Sequence, residues 1–329
     1  MNDFISLLEL MKEKDASDLH IKFGRKPIFR IKKELIEVEE WEGILDDEVL
    51  NKIAELVLPS EQLDIFKKEK EIDFAFDHKE VGRYRVNAFW QRGHIGFVLR
   101  RIKDVIPTIE ELNLPPVLNK ISSFPDGLVL VTGPTGCGKS TTLASMIENI
   151  NQNRIAHIIT IEDPIEYLYK DKKSIIDQRE VGIDTLSFAS ALKHVLREDP
   201  DIILIGELRD VDTFQAAINA CETGHLVFAT LHTIDTITTI TRILDFFPSS
   251  QHEQVRKIIG YHLRATICQK LLPRKNNSGL VPVCEIMIVN SVISKLIQDN
   301  KLNKIYSAMA ADKEVGTVSY THLTLPTKA

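Results

Sequence analysis

Eight consecutive residues, Gly133-Pro134-Thr135-Gly136-Cys137-Gly138-Lys139-Ser140, carry the spacing G-x-x-x-x-G-K-S of a phosphate-binding loop. Gly133, Gly136 and Gly138 let the backbone fold tightly enough to turn successive N–H groups inward, making a nest for an anion at a helix N-terminus. Lys139 has the charge and reach for the β and γ phosphates of a nucleotide, and Ser140 offers a hydroxyl to the magnesium ion that bridges them. The loop requires a strand before it and a helix after it. Leu128-Val129-Leu130-Val131 is an apolar run of strand length, and a helix-favouring run follows from Thr141 to Asn149.

Three further stretches concentrate acids, arginines and histidines next to apolar strands, where α/β sheets place their ligands. Thr160 to Glu166 follows an apolar run, and its carboxylates Glu162, Asp163 and Glu166 suit magnesium coordination through water or polarisation of an attacking water. Taken alone, the stretch also reads as a solvated loop. In Leu196 to Asp210 a hydrophobic strand ends near Glu207, the acid expected opposite a phosphate loop to hold magnesium. Arg197 and Arg209 flank it and suit phosphate charge, within a subunit or across an interface, or salt bridges to the adjacent acids. In Gly224 to Thr233, His225 and His232 bracket a buried strand beside Thr230 and Thr233, a pattern expected of a γ-phosphate sensor.

These motifs have to be positioned by a larger frame. A chain of 329 residues fits two domains, since single cores tend to split beyond about 250–300 residues. Residues 1 to 103 read as a small α+β domain. Helices are expected over Asp3–Lys14, Asp46–Leu58 and Ser60–Lys70, with strands at Leu19–Phe23, Ile28–Val38, Gly82–Trp90 and His94–Ile102. Asp104 to Pro116, with three prolines and little periodicity, reads as a linker or hinge. Beyond it, strands at Leu128, His157, Ile175, Ile202 and Leu226 alternate with helices, the pattern of an α/β core on a mostly parallel sheet. Helix is expected from Ser250 to Leu272, then a polar turn over residues 275–279, then a passage through Val281–Val289 into further helices.

Apolar and charged fractions of 43% and 27% belong to a soluble globular protein. Neither a membrane-spanning run nor a secretory signal is read from the sequence, so a cytoplasmic location is expected. Cys137, Cys221, Cys268 and Cys284 are spaced singly, which suits reduced core residues rather than a zinc site or a disulfide framework. The net charge of −6 argues against a nucleic-acid motor, which needs a basic track, so no nucleic-acid partner is expected.

Together, the loop, the Glu162-Asp163 box, the LREDPDIILIGELRD segment and the histidine box resemble the hexameric ATPases of the type II/IV secretion superfamily. Within it the chain looks most like the type IV pilus retraction ATPases of the PilT type, through ASDLHIKFGRKPIFRI, GRYRVNAFWQ and CEIMI, over roughly residues 1 to 310. The resemblance implies a RecA-like P-loop NTPase core spanning 117–316, with a helical C-terminal part, and an α+β, PAS-like N-terminal domain. It also implies a ring of six copies hydrolysing ATP with Mg2+, and rocking of the domains about the 104–116 segment. The partners implied are an inner-membrane pilus platform protein and a related paralogous ATPase, with the ring peripheral to the cytoplasmic membrane. Arginines of the small domain approach the phosphates in these proteins, which carries over to Arg83, Arg85 and Arg100.

The chain departs from this family in two places. Ser291 to Ile297 lacks the arginine of an AIRNL-like segment, and Thr317 to Ala329 reads as a foreign tail without acids or helical periodicity. Alternative readings are a pilus assembly or type II secretion ATPase, a low-turnover nucleotide-binding regulatory subunit, and a DNA-translocating ring. The last is disfavoured by the acidic balance.

Overall fold

The computed structural model describes residues 3–32, 34–102, 105–274 and 279–311. It has two compact units, Met1–Asp104 and the chain from Val105 onward. The first contains α1 (Phe4–Glu13), β1 (Asp18–Lys22), β2 (Ile28–Ile31), β3 (Glu34–Glu37), α2 (Asp47–Val57), α3 (Ser60–Glu69), β4 (Glu71–His78), β5 (Gly82–Gln91) and β6 (His94–Arg101). Asp3 and Asp46 start α1 and α2 by accepting from Ser6 N and Val49 N, which satisfies amides that have no partner within the helix. The strands form an antiparallel sheet in the order β3-β2-β1-β6-β5-β4. Tyr84, Val86, Phe97 and Leu99 face inward from β5 and β6 onto Leu7, Leu8 and Met11 of α1. Strand β4 is an addition to the expected elements. Its Phe74 and Phe76 are buried at alternate positions, with Asp73 and Asp77 exposed on the other face, the period of a half-buried strand.

The second unit contains α4 (Val117–Ser122), β7 (Gly127–Thr132), α5 (Lys139–Asn153), β8 (His157–Glu162), β9 (Ile175–Glu180), α6 (Phe188–Val195), β10 (Ile202–Ile205), α7 (Val211–Glu222) and β11 (Leu226–Leu231). It continues through α8 (Thr236–Leu244), α9 (His252–His262), β12 (Leu263–Pro273), β13 (Leu280–Ile288), α10 (Ser291–Gln298) and α11 (Ile305–Ala311). The sheet order is β13-β12-β7-β11-β10-β8-β9, and every pairing is parallel except β12 with β13. Alternate strand residues serve opposite faces. Val129, Val131, Ile158, Ile202 and Phe228 pack with Leu143, Met146 and Ile147 of α5. Leu128, Leu130, Ile159, Ile203 and Val227 pack with residues of α6 to α11. Burial on both faces explains why these strands are continuous apolar runs.

Two expectations are corrected. The helix expected from Ser250 to Leu272 stops at His262, and Leu263–Pro273 is the strand β12. Val255 and Ile259 follow helical spacing, whereas Leu263, Ala265, Thr266, Ile267 and Cys268 are all buried, a pattern that suits a two-sided sheet. Pairing with β7 and β13 decides the matter. The proline-containing stretch read as a linker belongs to the second unit from Val105 onward. Thr108 and Glu111 cap one another there, and Ile109 and Leu114 are buried in the same core as α5. Residues 275–278, part of the expected polar turn, and the tail from Thr317 to Ala329 lie outside the described residues. Among the described residues, no helix is long and apolar enough to cross a membrane.

Because Ile267 is fully buried in a strand hydrogen-bonded on both sides, Ile267→Ala is expected to remove about 2–4 kcal/mol of stability. Urea denaturation followed by far-UV circular dichroism measures it. Behaviour like that of an exposed helical position, a loss under about 1 kcal/mol, would contradict the strand assignment.

Candidate active site

The parallel pairing of β7, β8, β10 and β11 sends their C-terminal ends to one edge of the sheet. The loop 133–140 leaves β7 at that edge and enters α5. Its glycines have φ of 146° at Gly133, 78° at Gly136 and 90° at Gly138, values that L side chains rarely adopt. At Gly133 space is equally limiting, because a Cβ would lie 2.3 Å from the Gln269 carbonyl oxygen. Lys139 Nζ donates to the Gly133 and Pro134 carbonyls at 2.9 and 3.3 Å, so the ammonium folds over the loop. Cys137 is buried, and burial pushes its thiol pKa up.

The acids meet the loop from the neighbouring strands. Ser140 Oγ donates to Glu166 at 2.8 Å, and Thr141 Oγ1 lies 2.9 Å from the Tyr167 hydroxyl. Glu162 ends β8 and accepts from Thr160 Oγ1 at 2.7 Å and Gln178 Nε2 at 3.3 Å. Desolvation dominates over those donors and, helped by the nearby Glu166 charge, raises its pKa to about 7. Glu207 follows β10 by two residues. It accepts from Arg209 Nε at 2.9 Å and lies 3.1 Å from His232 Nε2, at the end of β11. That bond to Glu207 holds the Arg209 guanidinium above its ordinary pKa. Asp163 is 3.7 Å from Arg209, and Thr230 Oγ1 donates to the Gly206 carbonyl. Apart from Thr160 and Gln178, these groups line a cavity of about 420 Å³, together with Thr135, Gly136, Tyr169 and Phe188.

Two of the residues singled out in the sequence stand elsewhere. His225 precedes β11, at the opposite edge of the sheet, and its Nδ1 is 2.9 Å from the Ala220 carbonyl and 3.0 Å from Thr223 Oγ1. Only one of two histidines bracketing a parallel strand can face the ligand edge, and that one is His232. Arg197 lies between α6 and β10, before the strand begins, so it is exposed at the edge away from the loop and is not among the residues that line the cavity beside it. Arg83, Arg85 and Arg100 belong to the first unit, where Arg85 and Arg100 are register partners and Arg100 Nε donates to the buried Asp18 at 2.9 Å. Gln269, Gln178 and Tyr167 escaped the sequence reading. The signal for Gln269 was an amide inside an apolar run, hidden because that run read as helix.

The family model described as "Type II/IV secretion system protein" matches residues 6–321. This chain belongs to that family. The resemblance carried by the motifs is thereby borne out. Among its relatives is the type IV pilus retraction ATPase PilT of Pseudomonas aeruginosa, 42% identical over 95% of this chain and 90% of that protein. The twitching motility protein of Neisseria gonorrhoeae is 46% identical over 82% of this chain and 72% of its own length. A solved structure of the pilus retraction motor PilT with bound ADP superposes with a TM-score of 0.89 at 45% identity, covering 94% of this chain and 90% of that one. The expected α/β architecture of a secretion-family ATPase, a P-loop core joined to a smaller α+β domain, agrees with that superposition.

In this secretion-family site the donors suit Mg2+. Ser140, Glu166 and Glu207 present oxygen atoms only, and a magnesium ion held mainly by nucleotide phosphates needs few protein ligands. The raised Glu162 pKa has a consequence for stability. A carboxyl whose folded pKa lies above its unfolded value of 4.5 contributes stability that is full below that value and lost as pH rises through about 7. Between about pH 5 and about pH 8, the parent's denaturation midpoint is therefore expected to fall further than that of Glu162→Gln. Parallel pH dependences of the two midpoints would contradict the assignment.

Proposed function

We propose that the chain is an Mg2+-dependent ATPase that powers retraction of type IV pili as a ring of six copies. The observation that carries this reading is the convergence of Lys139, the Ser140–Glu166 pair and the Arg209–Glu207–His232 cluster on one cavity at the strand ends. Phosphates entering the loop offer Lys139 charged acceptors in place of the two neutral carbonyls it now caps, an exchange that favours binding. Ser140 and Glu207 would hold magnesium, which when bound would neutralise charge developing on the transferred phosphoryl group. Glu162, with a proton affinity matched to neutral pH, orients the attacking water and takes its proton as ADP and phosphate form. Glu166 holds the Ser140 hydroxyl, and Asp163 and Arg209 complete the charge balance beside Glu207. His232, bonded to Glu207, reports on the γ-phosphate.

The relatives' names support the cellular role, since one is called a pilus retraction ATPase and another a twitching motility protein. On this reading the ring stands at the cytoplasmic face of the inner membrane, engages a membrane platform protein of the pilus machine, and works beside a paralogous ATPase. Arg83, Arg85, Arg100 and Arg197 are then residues whose phosphate contacts would be supplied in the assembled ring.

Lys139→Ala is expected to abolish ADP binding. Glu207→Ala should retain binding while lowering ATP turnover at least about a hundredfold. Turnover of the parent should rise with protein concentration as the ring assembles. Coupled-assay hydrolysis and ADP titration test all of this. Tight binding with negligible turnover at every concentration would favour the regulatory-subunit reading instead.

A further inference from the structure

The phosphate loop rests on one buried side chain from another strand. Gln269 of β12 is 3% exposed. Its Nε2 donates to the Cys137 carbonyl at 2.7 Å, in the loop, and its Oε1 accepts from Thr142 Oγ1 at 2.7 Å, in the first turn of α5. The same amide lies against Gly138, where a Cβ would come 3.0 Å from Nε2, and the Gln269 backbone carbonyl closes the space at Gly133. One residue therefore touches the loop at its beginning, its middle and its junction with the helix. Cys268 beside it accepts from Thr132 Oγ1 at 3.0 Å, at the end of β7, so the strand before the loop is tied to β12 as well.

We infer that Gln269 is a positioning residue for phosphate binding: it turns the Cys137 carbonyl away from the ligand, and so keeps the loop's N–H groups facing the cavity. The inference rests on the nucleotide reading of the site. A peptide unit whose carbonyl is held on one side presents its N–H on the other, and an anion nest requires successive N–H groups to point the same way. The role needs a donor and an acceptor at once, because the loop offers a carbonyl and the helix a hydroxyl. An amide supplies both within one planar group, whereas a carboxylate of the same shape supplies only acceptors. A buried polar group left facing the wrong partner loses its bond and its hydration together.

The test measures ADP affinity of the full chain by titration, with thermal melting alongside. Gln269→Glu should weaken ADP at least about tenfold at pH 8, the loss expected for replacing one buried hydrogen bond by a repulsive contact. Burial favours the neutral form of the new carboxyl, so its protonation restores a donor and ADP affinity should recover toward the parent's as pH falls to about 6. The parent, titrated in parallel, reports the contribution of Glu162 in the same cavity, and the gain in Gln269→Glu should exceed it. Thr142→Val, which removes only the hydroxyl, should weaken ADP about threefold with a modest drop in melting temperature, and it carries the test if Gln269→Glu fails to fold. Unchanged affinity in the folded variants, or a loss in Gln269→Glu that ignores pH, would overturn the inference. Lys139→Ala separates the two levels. If it binds ADP like the parent, the nucleotide reading fails; if it abolishes binding while the Gln269 and Thr142 variants bind normally, only the Gln269 role fails.

Discussion

Parallel hydrogen bonding of β7 to β11, β11 to β10 and β10 to β8 is the constraint on which the site depends. Adjacent strands that run the same way finish at the same edge, so the groups following each strand are brought within a few residues' reach of one another. Glu162, Glu207 and His232 come from three different strands and sit around a loop that leaves a fourth. None of these residues needs a long excursion to reach the cavity. The connections that return the chain to the far edge are the helices, and those helices supply the apolar faces that bury the sheet on both sides.

The electrostatics follow from this arrangement. The site gathers four carboxylates close to one another, and their mutual repulsion is offset by partners, with Arg209 shared between two of them. Glu166 is occupied by Ser140, Glu207 by Arg209 and His232, Asp163 faces Arg209 more distantly, and Glu162 is relieved by its raised proton affinity. Desolvation and like charge push in the same direction at Glu162, and two neutral donors only partly oppose them. The site thus holds one acid able to exchange a proton near neutrality beside others committed to charged or hydroxyl partners, a division of labour suited to water activation next to a metal.

Strand β12 has a role that its own chemistry does not advertise. It lies between β7 and the edge strand β13, carries the amide against the loop, and passes the chain antiparallel into β13, whose buried Glu285 accepts from Thr236 N and Thr236 Oγ1 at the start of α8. The segment from His232 into α8 is thereby fastened to the same pair of strands that supports the phosphate loop.

The sequence by itself determined the loop, its flanking strand and helix, the acids of the Glu162 and Glu207 segments, and the family. Those signals are local: consecutive residues whose types are dictated by backbone conformation or by phosphate chemistry, read without knowing what lies across the sheet. Tertiary structure decided which of two histidines faces the cavity, since a strand's direction is invisible in its flanking residues. It placed Arg197 at the far edge for the same reason. It also turned Leu263–Pro273 from helix to strand, because an apolar run buried on both faces carries no period, and only pairing with β7 and β13 settles its backbone. Gln269 became legible only then: its meaning lies in a carbonyl and a hydroxyl more than a hundred residues away in the chain, brought beside it by strand order.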